Sequence, residues 1–216
     1  MTLHPKPWLS VILPVHNGEK WVGAALDSLA GQLDREAEIV VIDTSDGPGT
    51  RAIVERYADR LNLRFVDPEG AQGCMSKTNR GVEAARADHV SWLCQDDLWL
   101  PNRAAAVRSW IAVDPQAALH IAPSVIVDSE GSRLGLWRCP AEGDGRLLAP
   151  DELLPLLLVQ NFIAAVTPIV RRDAWIAVGG LDPALWYTAD WDLWLKLARN
   201  GPVRLHAERL NGSRDR

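Results

Sequence analysis

Apolar and polar positions alternate between two periods along the first hundred residues. The run WLSVILP (8–14) is continuously apolar and β-rich, and EKWVGAALDSLAGQ (19–32) then places Trp21, Ala25, Leu26 and Leu29 on one helical face. EIVVID (38–43) predicts a second buried strand, GTRAIVERYADRL (49–61) a second helix and LRFVD (63–67) a third strand. CMSKTNRGVEAARAD (74–88) reads as a helix that tolerates Gly81, and HVSWLC (89–94) as a fourth strand. Strands apolar on both faces, alternating with helices, predict a parallel sheet covered on both sides.

Beyond Pro101 a helix is expected to run to about Asp114, after which the pattern changes. ALHIAPSVIVDSEGSRLGLW (118–137) holds two strand-like runs around a turn at 128–131, which predicts an antiparallel hairpin. Residues 139–152 read as loop, LLPLLLVQ (153–160) as a short apolar helix and AAVTPIVR (164–171) as a strand. DWDLWLKLARNG (190–201) closes the pattern with an apolar stripe of Trp191, Trp194, Leu195 and Ala198, and Gly201 as C-terminal cap. The chain reads as an α/β half followed by a mixed half, without repeats.

Composition narrows the classes. With 216 residues, 47% hydrophobic and 24% charged, the chain is expected to form one domain over 1–216. A net charge of -5 with dispersed basic residues argues against a nucleic-acid surface. Three cysteines, Cys74, Cys94 and Cys139, form neither a disulfide framework nor a zinc pattern, so a reducing cytoplasm is the expected setting. Apolar runs break well before the ~20 residues of a membrane span, and the N-terminus lacks a signal architecture. Peripheral association with the inner face of a membrane stays open.

Ligands of open α/β sheets bind outside the carboxyl ends of the strands, which here carry residues 14–17, 43–46 and 95–97. Gly47-Pro48-Gly49 lacks the third glycine of a dinucleotide fingerprint, and no Walker A sequence occurs. In SWLCQDDLWLP (91–101) two adjacent carboxylates, Asp96 and Asp97, end a strand with no histidine cluster beside them. Two readings fit: oxygen ligands for a hard divalent cation, Mg2+ or Mn2+, or a solvated or helix-capping pair.

Four segments, SVILPVHNGEKWVGAALDSLAGQ, EIVVIDTSDGPGT, GCMSKTNRGVEAARADHVSWLCQDDLWLP and VGGLDPALWYTADWDLWLKLARNG, together resemble the family 2 glycosyltransferases in order and spacing. The resemblance spans roughly residues 8–206. It implies the GT-A fold, a Rossmann-like, mostly parallel nucleotide-binding sheet flanked by helices. In that arrangement 1–100 is the nucleotide-sugar half and 101–216 a mixed acceptor-binding half. It also implies a nucleotide-sugar donor, a divalent metal (Mg2+ or Mn2+), inversion at the anomeric carbon and a hydroxyl of a saccharide or glycoconjugate as acceptor. Carried over by position, Pro14 and His16 match the loop that contacts the nucleotide base. Asp43 and Thr44 match an acidic pair whose second member commonly reads a uracil, so Thr44 is a departure. Asn79 matches an asparagine near the donor, and Lys77 and Arg80 are either diphosphate contacts or solvated helix residues. Asp96 matches a ribose-facing acid and Asp97 the metal ligand, with Cys94 where many members carry Asp or Asn. Asp190 matches the catalytic base; Ala189 replaces the acid before it, and an ordinary helix N-cap is the alternative role for Asp190. Asp192 is expected to be solvated, and Trp186 and Trp191 to line the acceptor side. His206 stands where some GT-A enzymes carry an additional metal ligand. Thr44 and Ala189 also motivate a second reading, a catalytically degenerate nucleotide-sugar or partner-binding module.

Overall fold

The structure, a computed structural model, describes residues 5–128, 132–185 and 187–214. Its first half follows the predicted alternation: β1 (Ser10–Val15), α1 (Val22–Ala30), β2 (Glu38–Asp43), α2 (Gly49–Glu55), β3 (Asn62–Phe65), α3 (Gly73–Ala84) and β4 (His89–Trp92). After a turn come β5 (Leu98–Trp99), α4 (Arg103–Val113), β6 (Leu119–Ile121), β7 (Ser124–Val127), β8 (Arg133–Trp137) and β9 (Arg146–Leu148). The remainder is α5 (Pro150–Val159), β10 (Ile169–Arg171), α6 (Arg172–Ala177), α7 (Ala189–Asn200), β11 (Val203–Leu205) and β12 (Asn211–Arg214).

Eight strands form one sheet in the order β3-β2-β1-β4-β10-β6-β11-β9. β1 pairs in parallel with both β2 and β4, and β2 with β3. β10 runs antiparallel to both its neighbours, so β6 and β11 point the same way as β1. Alternate residues of the buried strands feed two cores. Val11, Leu13, Ile39 and Val41 pack with Leu26 and Leu29 of α1 and Val107 of α4. Ile12, Val40, Ile42 and Trp92 pack on the other face with Val82 of α3 and Leu193, Trp194 and Leu197 of α7. This two-sided burial is what a continuously apolar strand requires.

Gly81 is a packing requirement rather than a tolerated weakness in α3. A Cβ there would lie 2.6 Å from Ile42 Cδ1 and closer still to Ile12 Cγ2, so only glycine lets the helix sit this near β1 and β2. Gly201 does not act as a left-handed cap: its φ is -168°, extended backbone. Glycine is required because an added Cβ would lie 2.5 Å from Ala118 Cβ.

The predicted hairpin is present between β7 and β8, but its first arm does not begin at residue 118. Ala122 and Pro123 interrupt the run, sending β6 into the large sheet and β7 into a separate four-stranded sheet of order β5-β12-β7-β8. Proline cannot donate to a ladder, which gives the chain its crossing point. Part of the turn, residues 129–131, lies outside the described residues. The strand expected over 164–171 is limited to its last three residues, since Thr167 closes a turn onto the Ala164 carbonyl (2.9 Å) just before Pro168. Residues 146–148, read as loop, form the edge strand β9 against β11. Among the described residues no helix is long and apolar enough to cross a membrane.

Replacing Gly81 with alanine should destabilise the fold by about 1–3 kcal/mol through overpacking against Ile12 and Ile42. Denaturant unfolding of the variant measures this, and unchanged stability would contradict the close approach.

Candidate active site

The carboxyl ends of β1, β2 and β4 and the first turn of α3 enclose a cavity of about 410 Å3. β1 contributes Pro14 and His16, β2 Thr44, the turn after β4 Cys94, Gln95 and Asp96, and α3 with its N-cap Gln72, Gly73, Cys74 and Lys77. Helix α3 has no side-chain cap, and Gly73 enters it at φ +72°. Gly73 and Cys74 of the first turn line the cavity, so the positive end of the helix lies at the site, a favourable arrangement for an anion such as a diphosphate.

Two loops beside the cavity are locked together. The Nδ1 of His16 lies 2.7 Å from the Thr44 carbonyl, which makes Nδ1 the protonated nitrogen. Asn17, at φ +47°, donates from Nδ2 to Asp46 (2.7 Å) and accepts the Asp46 N–H (3.0 Å). The N–H of Gly18 donates to Thr50 Oγ1 at 2.8 Å. Gln95 ties the turn after β4 to the same segment: its Oε1 accepts the His16 N–H (2.9 Å) and its Nε2 donates to the His16 carbonyl (3.2 Å).

Lys77 is neither a solvated residue nor a free cation. It is 4% exposed, and its Nζ donates to the Val15 carbonyl (2.8 Å) and Thr44 Oγ1 (3.1 Å). Burial lowers its pKa, opposed by Cys74 and Asp43. Thr44 thus provides a neutral acceptor for the ammonium, where an acid would form a buried ion pair. Arg80 leaves this region and pairs with Glu69.

Cys94, Asp96 and Asp97 bring one ligand atom each to within 4.8 Å of one another. Asp97 is buried at 5% exposure, and its N–H closes a turn onto the Cys94 carbonyl (3.1 Å). The Cys94 thiol is pushed well above its ordinary range by its hydrogen bond with Cys74, then by burial and the nearby acids, so it stays protonated. Two carboxylates beside a neutral thiol fit a hard divalent cation that keeps part of its water shell.

The other predicted residues are distributed more widely. Asp43 turns its carboxylate onto the N–H of Ser45 (2.8 Å). Asn79 is engaged outside the donor-cavity lining: it donates to the Leu181 carbonyl (2.7 Å) and accepts from Trp175 Nε1 (3.1 Å) and the Leu181 N–H (3.0 Å). It therefore ties α3 to the segment after α6. Asp190 is not the N-cap of α7; Thr188 holds that place, and Asp190 is the second residue inside the helix. Its Oδ1 accepts the Trp191 N–H (2.7 Å) and its Oδ2 the Asn161 amide (3.2 Å). Burial raises its pKa, and the bonds from Trp191 and Asn161 only partly offset that. Asp192 is paired with Lys196 at 2.8 Å rather than solvated. Trp191 donates from Nε1 to the Leu157 carbonyl (2.7 Å), joining α7 to α5. Trp186 lies outside the described residues.

His206 is not part of the Cys94–Asp97 cluster. Its ring stacks on Trp110, centroids 4.0 Å apart, and its Nε2 lies 3.0 Å from His120 Nδ1. Ala189 is fully buried, so an acid at that position would carry a desolvation cost unless paired. Sequence reasoning missed Gln95, Cys74, the N-terminus of α3 and Asn161. Of these only Gln95 had a signal, its place beside the acidic pair.

A mostly parallel sheet with a nucleotide-sized cavity at its carboxyl ends, an acidic turn on its rim and a mixed second half is the GT-A class of glycosyltransferase architecture. Two solved structures share it. TarS 1-349 from S. aureus superposes with TM-score 0.77 at 20% identity, covering 95% of this chain and 60% of that one. The mannosyltransferase PcManGT from Pyrobaculum calidifontis, in complex with GDP-Man and Mn2+, gives TM-score 0.66 at 21% identity over 96% of this chain and 57% of that one. Residues 10–141 match the model of glycosyl transferase family 2, and the chain belongs to that family. An uncharacterized glycosyltransferase of Rickettsia felis is 28% identical over 96% of this chain, which spans 34% of that relative's length. The amylovoran biosynthesis glycosyltransferase AmsE of Erwinia amylovora is 27% identical over 89% of this chain and 70% of its own length. The chondroitin synthase of Escherichia coli is 22% identical over 94% of this chain and 28% of its own length.

Removing the Asn161 amide should raise the Asp190 pKa further, because that bond favours the ionised form. A carboxyl NMR titration of Asn161→Ala checks the direction; an unmoved or lowered midpoint would show that the bond does not act on Asp190.

Proposed function

We propose that the chain transfers a sugar from a nucleoside-diphosphate sugar to a hydroxyl of a saccharide or glycoconjugate acceptor, with inversion and with the help of Mg2+ or Mn2+. The observation that carries this reading is the convergence on one cavity of a helix N-terminus and an acidic turn, the two complements a metal-bound diphosphate requires. TarS is also known in complex with UDP-GlcNAc, and PcManGT with GDP-Man. Donors with two different bases in this architecture are consistent with a base-reading position that varies, occupied here by Thr44.

We assign the roles from the family pattern, and placement supports them. Pro14, His16 and Thr44 form the base-facing wall, with Asp43 behind them holding the loop through Ser45. Asp96 faces the ribose and Asp97, with Asp96 and the Cys94 sulfur beside it, would hold the cation. When bound, a divalent ion supplies charge neutralisation to the departing diphosphate. The N–H groups of α3 hold the phosphate oxygens and keep the leaving group aligned. Asp190 accepts the proton of the acceptor hydroxyl as its oxygen bonds to the anomeric carbon and the bond to the diphosphate oxygen breaks. A carboxylate with its pKa raised by burial is a stronger base than an exposed one. Asn161 holds that carboxylate in place, while Asn79 acts on the donor site only through the seating of α3.

Donor hydrolysis or transfer across a panel of nucleotide sugars with Mn2+ should appear in the wild type. It should fall by about 10²–10⁴-fold in folded Asp190→Asn, the range for loss of a general base. Asp97→Ala should lose metal dependence together with turnover. Because Asp190 must be ionised, kcat/KM should decline on the acid side with a midpoint shifted upward from that of an ordinary aspartate. Metal-dependent nucleotide binding without turnover on any donor would favour the binding-module reading that Thr44 and Ala189 motivate, and absence of nucleotide binding with either metal would overturn both.

A further inference from the structure

A second group of ligating side chains lies well away from the donor cavity. Asp144, His206 and Glu208 bring one ligand atom each to within 4.8 Å of one another. They sit at the carboxyl end of β11, separated from β4 and its acidic turn by β10 and β6. Three strand spacings of about 4.8 Å put the two clusters roughly 14 Å apart.

The cluster is built rather than incidental. Asp144 is flanked by Gly143 at φ +120° and Gly145 at φ +62°, and its Oδ1 accepts the N–H of Ala207 (3.1 Å). The same loop is anchored by Arg204, which donates to the Gly145 carbonyl while its guanidinium is held by Asp114. His206 is 4% exposed, stacked on Trp110, with Nε2 spent on His120. Its Nδ1 has no hydrogen-bond partner among the described residues, although His206 lines a cavity of about 550 Å3. A buried imidazole whose second nitrogen is held by another side chain is the arrangement in which metal-ligating histidines are oriented.

We propose that Asp144, His206 Nδ1 and Glu208 form a second metal site that takes a borderline divalent transition-metal ion such as Zn2+. One imidazole and two carboxylates suit such an ion better than Mg2+ or Ca2+, and three protein ligands leave an open position. The cavity that His206 lines also carries Arg138 and Arg209, so water or a small anion would complete the shell from that side. The ion clips the loop around Asp144 onto the segment that follows β11. This site is independent of the sugar-transfer reading.

The test uses chelator-stripped full chain carrying Asp97→Ala, which silences the donor-cavity cluster. Zn2+ titrated calorimetrically should bind one ion per chain and raise the Tm. Adding Asp144→Asn or Glu208→Gln, both at exposed positions that leave the core intact, should weaken binding by at least about tenfold, the lower end of what loss of an outer-shell partner alone costs. Co2+ bound in place of Zn2+ should show weak visible d–d absorption without the strong near-ultraviolet sulfur charge-transfer band of a cysteine-ligated ion. No binding in the Asp97→Ala protein, binding unaffected by both carboxylate variants, or a sulfur charge-transfer band would each overturn the site.

Discussion

The contact of Gly81 with Ile12 and Ile42 sets where everything at the donor end can sit. Side chains four residues apart share a helix face, so seating Gly81 on β1 and β2 carries Lys77 along the same face to the sheet's carboxyl edge. There it reaches the Val15 carbonyl and Thr44. One turn earlier, Gly73 and Cys74 bring the N-terminal end of α3 into the cavity lining. A helix held a few tenths of an ångström further out would lift both the cation and the anion-binding end away from the strands.

The departures from the family pattern become intelligible in this setting. Thr44 gives the buried Lys77 a neutral partner, so the link between the end of β2 and α3 forms without a second buried charge. Ala189 packs without exposure at the start of α7, next to the partly accessible carboxylate of Asp190. Cys94, hydrogen-bonded to Cys74, leaves the negative charge of the turn to the two aspartates.

How much could be read in advance follows from element length and partner distance. β1 and β2 are six residues each and apolar throughout, and α1 and α3 each present a buried face, so their periods stand out. β9 and β11 are three residues long, too short to show a period; β11 exists because it pairs with β6, and β9 because it pairs with β11. The split at Ala122–Pro123 was visible as a proline but not as a change of sheet, since the destination of β7 depends on β12. In the same way, carboxylates were legible from residue type, whereas Gln95 and Asn161 matter through partners 79 and 29 residues distant.

The acidic turn is strung between two sheets: β4 anchors it in the large one, and β5, directly after Asp97, anchors it in the small one through β12. β5 offers only two residues for pairing, and its partner strand comes from the opposite end of the described chain. That pairing must offset the entropy of closing a long loop. β5 has a nearer support in α1 and the turn that follows it, where the Trp99 N–H donates to Ser28 Oγ (3.1 Å) and the Trp99 carbonyl accepts from Gln32 Nε2 (3.3 Å). The seating of Asp96 and Asp97 is thereby shared between the first helix of the chain and its last described strand, so a change in either reaches the acidic turn without touching a carboxylate.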